Sequence, residues 1–115
     1  MAPGAPPLRE PRAVRLAREY LEAHAADHVT LEALAGLAWF SPYHLSRVFR
    51  GAVGMPPHAY QTHFRVRRAK ALLRAGRPIA EVATRAGFYD QAHLTRHFKQ
   101  IVGVPPGRWM ASGRH

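Results

Sequence analysis

The sequence predicts an all-α chain built from two similar two-helix units and a long connecting helix. Three observations carry that expectation. Apolar residues recur at helical spacing, as in Val14, Leu16, Ala17, Tyr20, Leu21 and Ala25. No stretch alternates apolar and polar residues with period two, and no Asn-Gly or Asp-Gly pair marks a hairpin. One residue pattern occurs twice, which sets the organisation of the chain.

Residues 1–11 are rich in proline and read as a linker or tail. A helix begins at about Arg12. Thr30 is a side-chain cap for Leu31–Ala38, and Ser41 with Pro42 opens the next helix, a hydroxyl cap followed by proline at the first helical position. That helix runs to about Val53, where Gly54, Pro56 and Pro57 stop it. A long helix follows, about His58–Ala75, ended by Gly76 and Pro78. Ile79–Ala86 is short and ends at Gly87. Asp90 caps about Gln91–Val102, which Gly103, Pro105 and Pro106 terminate. About seven helices are expected, arranged as a tail (1–11), a first subdomain (12–57), a linker helix (58–76), a second subdomain (77–110) and a C-terminal tail (111–115).

In the repeat, Phe40 answers Phe88. From His44 and His93 onward the register has slipped by one residue, so the second turn is one residue longer. The matches then include Leu45 with Leu94, Arg47 with Arg96, Phe49 with Phe98 and Gly54 with Gly103. Helical spacing buries Leu31, Leu34, Ala35 and Ala38 in one copy and Ile79, Val82, Ala83 and Ala86 in the other. The following helix buries Leu45, Val48, Phe49 and Ala52, or Leu94, His97, Phe98 and Ile101. The opposite face carries Tyr43, Ser46, Arg47 and Arg50 in the first copy. In the second it carries Ala92, Thr95, Arg96 and Lys99, with Gln91 and His93 at the N-terminal end.

Composition gives the partner class. Lys and Arg total 17 against 7 Asp and Glu, a formal net charge of +10. Residues 33–80 contain no acid, yet carry Arg47, Arg50, Arg65, Arg67, Arg68, Lys70, Arg74 and Arg77. A folded basic domain calls for a polyanion: nucleic acid first, an anionic membrane surface second. The absence of cysteine excludes disulfides, Cys-based zinc sites and a thiol nucleophile. No apolar run approaches the roughly 20 residues that span a bilayer, and the start lacks a signal-peptide layout. A cytosolic protein is the default.

Two short helices joined by a tight turn, the second with Arg and hydrogen-bonding residues near its start, make a helix-turn-helix. Arg47 and Arg96 are the first candidates for base contact, because a guanidinium can bond guanine with two donors. Tyr43, Ser46, Gln91, His93 and Thr95 are second-rank readers. Arg50, Lys99 and some of Arg67, Arg68 and Lys70 are expected at phosphate or in solvent. His44 and His93 lie at the edge of the buried face, where packing or capping competes with base contact. Arg65 is expected as a buried structural arginine with an acidic partner, and Trp109 as a core plug. His93 and His97 could offer two imidazoles to a metal, but no third ligand is evident. Glu81 and Asp90 are explicable as helix-start residues, so no enzyme and no cofactor is expected.

These residues resemble the AraC/XylS family of bacterial transcription regulators. The resemblance covers about residues 12–110. It rests on Ser41-Pro-Tyr-His-Leu-Ser-Arg-Val-Phe-Arg50, on Arg65-Val-Arg-Arg-Ala-Lys-Ala-Leu-Leu73, and on the stretch from Pro78 through Gly87-Phe-Tyr-Asp-Gln-Ala-His-Leu-Thr-Arg-His-Phe-Lys99 to Pro106. It implies homeodomain-like helix-turn-helix subdomains whose recognition helices enter successive major grooves of promoter or operator DNA, about 34 Å apart. The linker helix, roughly 27 Å long, would serve as spacer. RNA polymerase is a further candidate partner, and the bacterial nucleoid the expected location. Many relatives carry an upstream effector or dimerisation domain, so effector sensing is expected outside this chain. The competing function is a non-specific basic nucleic-acid-binding module.

The sequence departs from the family at the first turn, which carries Trp39 where glycine is usual; the second keeps Gly87. If the position needs a positive φ, tryptophan there costs about 1–2 kcal/mol. Either the first turn adopts another geometry or packing of the indole offsets the cost.

Overall fold

A computed structural model describes residues 10–113. The proline-rich start up to residue 9 and residues 114–115 lie outside the described residues. Within them the chain forms α1 (Arg12–Ala23), α2 (Leu31–Leu37), α3 (Pro42–Val53), α4 (Pro57–Arg74), α5 (Ile79–Ala86), α6 (Gln91–Val102) and α7 (Pro106–Ala111), with no strand. They form two compact units. The first contains residues 10–23 and Val29–Ala59; the second contains His24–His28 and the chain from Tyr60 onward.

In the first unit α1, α2 and α3 pack against one another. The Pro11 carbonyl accepts the Arg15 N–H at 3.0 Å, which starts α1. Arg18 holds both oxygens of Glu10, at 2.8 and 2.9 Å, and also reaches Glu22 at 3.1 Å. The guanidinium keeps the Glu10 carboxyl below its ordinary pKa. Glu10, expected in the linker, is therefore fastened to α1. Thr30 caps α2 by accepting the Ala33 N–H at 3.1 Å. Val14, Ala17, Leu21, Leu34, Ala35, Ala38, Leu45 and Phe49 are buried between the three helices. Small side chains at Ala35 and Ala38 let the helices approach closely. Ala52, expected in this core, is exposed. α2 has 7 residues against 12 in α3, so the last turn of α3 has no counterpart in α2. In the second unit α7 packs on α6, and the matching Ile101 is half-buried.

The core of the second unit joins Val66, Ala69 and Leu73 of α4 to Val82, Ala83 and Ala86 of α5. Phe88 of the turn, Leu94 and Phe98 of α6 and Trp109 of α7 complete it. Residues 58–76, expected as a connecting helix, thus supply core side chains to this unit from Tyr60 onward. Phe98 and Trp109 meet edge to face at 5.6 Å. Pro106 stands in the first turn of α7, so the proline pair that ends α6 also begins a helix.

Residues 24–28 are held to α4 by two polar side chains. Gln61, only 6% exposed, donates through Nε2 to the Asp27 carbonyl at 2.9 Å and the Ala25 carbonyl at 3.4 Å. Arg65 donates from Nε to the Ala25 carbonyl at 2.6 Å and from Nη2 to the Asp27 carbonyl at 2.9 Å. The expected structural role of Arg65 is present, but its hydrogen-bond partners are backbone carbonyls, not a carboxylate. Burial lowers the Arg65 pKa, and the Asp27 charge opposes that shift. These bonds satisfy carbonyls that would each cost about 1–3 kcal/mol if buried unpaired.

Both turns close in the same way. The Phe40 N–H donates to the Ala35 carbonyl at 3.0 Å, and the Phe88 N–H donates to the Ala83 carbonyl at 2.8 Å. Each closure needs a left-handed residue just before the phenylalanine. Gly87 has φ 105°, and Trp39 has φ 61°. The first turn therefore keeps the geometry that favours glycine. Packing does not offset the strain, because Trp39 is 93% exposed. Gly87 has a second constraint: a Cβ there would lie 2.8 Å from both the Ala26 Cα and the Arg65 Nε.

These two corners predict opposite responses. Trp39→Gly raises stability against denaturant by about 0.5–1 kcal/mol, since strain is removed and no packing is lost. Gly87→Ala lowers it by more than about 2 kcal/mol, because strain and a backbone clash add. Urea titrations followed by circular dichroism check both signs.

Candidate nucleic-acid interface

Helices α3 and α6 both start at side-chain caps. Ser41 Oγ accepts the His44 N–H at 3.1 Å, and Asp90 Oδ1 accepts the His93 N–H at 2.8 Å. Pro42 pre-sets the first turn of α3. The Asp90 carboxylate also complements the positive end of α6. Leu45 and Phe49 anchor α3 in the first unit, and Leu94 and Phe98 anchor α6 in the second. Anchoring fixes which face of each helix remains in solvent.

On α3 that face holds Tyr43, Arg47 and Arg50, all exposed, with Ser46 half-buried beside them. The Arg47 guanidinium sits 5.9 Å from the Tyr43 ring centroid, a cation–π approach that restrains both side chains. On α6, Gln91, Arg96 and Lys99 are exposed and Thr95 is half-buried. Arg47, Arg50, Arg96 and Lys99 form no ion pair among the described residues. Each unit thus brings its own predicted residues onto one helix face and leaves their cationic ends open.

The histidines serve the turns. His44 stacks on Phe40 at 4.2 Å with the rings 8° apart. His93 is half-buried, and its Nδ1 accepts the Tyr89 N–H at 3.0 Å. The His93 ring meets Phe88 edge-on at 5.3 Å and His97 at 4.8 Å. Only Nε2 of His93 remains for an outside ligand. No group of three metal-ligating side chains occurs among the described residues. Burial lowers the His97 pKa from its ordinary 6.5, and the charges of His93, Arg96 and Arg65 push the same way.

Other basic residues are engaged inside the fold. Arg68 donates to the Arg85 carbonyl at 3.1 Å, and Arg67 lies 5.1 Å from the Phe64 ring centroid. Lys70 and Arg74 sit over Trp109 at 5.5 and 5.1 Å. Glu81 pairs with Arg77 at 2.8 Å and with Arg85 at 2.9 Å. Local sequence pattern gives no role to Tyr89 and does not place the Trp39 indole in solvent. They are 86% and 93% exposed. The available signal for Tyr89 was the extra residue in the second turn.

The family described as Helix-turn-helix domain matches residues 34–112. The HTH-type transcriptional regulator YbfI of Bacillus subtilis is 43% identical over 80 residues, which covers 69% of this chain and 29% of YbfI. The bifunctional transcriptional activator/DNA repair enzyme Ada of Escherichia coli is 42% identical over 64 residues, covering 56% of this chain and 18% of Ada. The chain therefore spans less than a third of either relative. The C-terminal domain of AraT, a response regulator from Geobacillus stearothermophilus, is similar with a TM-score of 0.83 at 32% identity, over 91% of this chain and 88% of that one. The DNA-binding domain of the transcription factor AdpA, solved with a target DNA, gives 0.80 at 28% identity over 89% and 93%.

The depressed His97 pKa sets a pH dependence. The folded second unit favours neutral imidazole. The stability tied to this group is therefore fully present above pH 6.5 and is lost as pH falls through the lower folded value. Urea midpoints followed by circular dichroism should fall between about pH 7.5 and pH 5.5. His97→Phe, which keeps a ring against Phe88, should flatten that slope; an unchanged slope would assign it to other groups.

Proposed function

Because the chain belongs to the AraC/XylS-type helix-turn-helix family, we propose that it binds duplex DNA sequence-specifically and regulates transcription from promoter or operator sites. The observation that carries this reading is the matched pair of arginines. Arg47 and Arg96 stand at equivalent positions on two capped helices, each opposite a buried Leu and Phe. Arg47 and Arg96 bond guanine in the major groove, one reader helix per groove. Tyr43, Ser46, Gln91 and Thr95 refine the choice of base, with the free Nε2 of His93 beside them. Arg50 and Lys99 meet phosphate.

The chain acts in this reading as a binding module and not as an enzyme. The match to Ada covers 18% of that protein, so its enzymatic title does not pass to this chain. Glu81 is engaged by two arginines and Asp90 by a helix start, which leaves neither free for general acid–base work. RNA polymerase is the further partner that a regulator of transcription would engage. Effector sensing belongs to a separate domain. The bacterial nucleoid is the place of action; no helix among the described residues is long and apolar enough to cross a membrane.

Competition at physiological salt tests the reading. A duplex recovered by selection from a random library should outcompete unrelated duplex by about a thousandfold or more. Equal competition would leave only charge-driven binding and defeat the proposal. Lys99→Ala should weaken binding to both duplexes alike and reduce the salt slope by about one.

A further inference from the structure

Trp39 keeps a left-handed backbone that glycine would adopt without strain, and its indole packs on nothing in the first unit. Strain held at an exposed position points to a use outside the fold. The chain around it has a distinctive chemistry. Tyr43 is 74% exposed and Leu37 is 40% exposed, and Arg47 and Arg50 follow on the same open face of α3. No acid occurs from residue 33 to residue 80.

The second unit presents the same kind of ring by another route. Its left-handed corner is Gly87, and the extra residue of the longer turn is Tyr89, 86% exposed and directly before the Asp90 cap. One turn gains its ring by replacing the expected glycine, the other by insertion. Both rings precede a cap that starts a reader helix.

We propose that Trp39 and Tyr89 are DNA-backbone contacts, each ring lying against the deoxyribose–phosphate wall of the groove its own reader helix enters. The inference rests on the DNA-binding reading and adds residues to it. A duplex wall alternates apolar C–H faces with phosphates, which suits planar rings set among guanidinium groups. A protein partner could cover the rings, but it would have to supply carboxylates to Arg47 and Arg50. The contact is independent of sequence: it holds the helix in the groove while Arg47 or Arg96 reads bases.

Intrinsic fluorescence makes the test direct, because Trp109 is 3% exposed and Trp39 is the open indole. Mixed-sequence duplex is added at low salt, and acrylamide access to the tryptophans is followed. Saturation with DNA should shield Trp39. Trp39→Ala removes the ring but keeps a strained corner, whereas Trp39→Gly removes both. Each should bind about fivefold more weakly on every duplex, with the salt slope unchanged, and Trp39→Tyr should restore most of the loss. Wild-type affinity in Trp39→Ala would overturn the proposal, as would an indole still open to acrylamide in the saturated complex. A loss confined to Trp39→Gly would assign the effect to the backbone and also overturn it. Shielding that requires a protein and not duplex would do the same. In all these cases DNA binding itself persists, so the functional reading survives; a chain that binds no duplex defeats both.

Discussion

A left-handed residue at the corner between two short helices is the constraint on which each unit depends. It reverses the chain sharply enough for the next N–H to bond back into the preceding helix, as Phe40 does to Ala35 and Phe88 to Ala83. The cap that follows, Ser41 or Asp90, then fixes where α3 or α6 starts. Helical periodicity does the rest: once Leu45 and Phe49, or Leu94 and Phe98, are buried, Arg47 and Arg96 must face out. In the second unit the corner is also backed by Ala25, Ala26 and Arg65, which leaves no room for a side chain at Gly87. The first unit tolerates Trp39 only because its side chain stands in solvent.

The positive charge is not a uniform coat. Arg18 is spent on Glu10 and Glu22, Arg65 and Arg68 on backbone carbonyls, and Arg77 and Arg85 on Glu81. Lys70 and Arg74 cover the Trp109 ring. Among the described residues, Arg47, Arg50, Arg96 and Lys99 remain without a carboxylate on the open faces of α3 and α6. In the proposed reading a polyanion meets cations already oriented by their helices, while the overall charge contributes long-range attraction. Orientation separates a helix that can read bases from a surface that only collects phosphate.

Most of the fold was legible because the sequence marks its own boundaries. Thr30, Ser41 and Asp90 cap as expected, and Gly54, Gly87 and Gly103 end helices in left-handed geometry. The burial of Leu34 and Ala35 in α2 and of Val82, Ala83 and Ala86 in α5 follows from spacing, whereas Leu31 and Ile79, at the exposed starts of these helices, are only half-buried. What escaped depended on packing at a distance. No local pattern says that Gln61 and Arg65 would bond the carbonyls of residues 24–28, or that Glu10 would close on Arg18. Ala52 has the periodicity of a core residue yet is exposed, because periodicity does not say how far the neighbouring helices extend. The two proposed readers were legible as an exposed face; whether His93 reads or caps was not, because its Nδ1 bond to Tyr89 is a feature of the longer turn. At Trp39 the residue type raised the right question, and the backbone angle answered it.

In the proposed reading each unit recognises its own short stretch of duplex through one arginine, Arg47 or Arg96. Selection of binding sites from a random duplex library by the wild-type chain, Arg47→Ala and Arg96→Ala tests it most directly. Two short boxes are expected for the wild type, with one box blurred in the first variant and the other box blurred in the second. Identical profiles for all three, or loss of the same box in both variants, would contradict it.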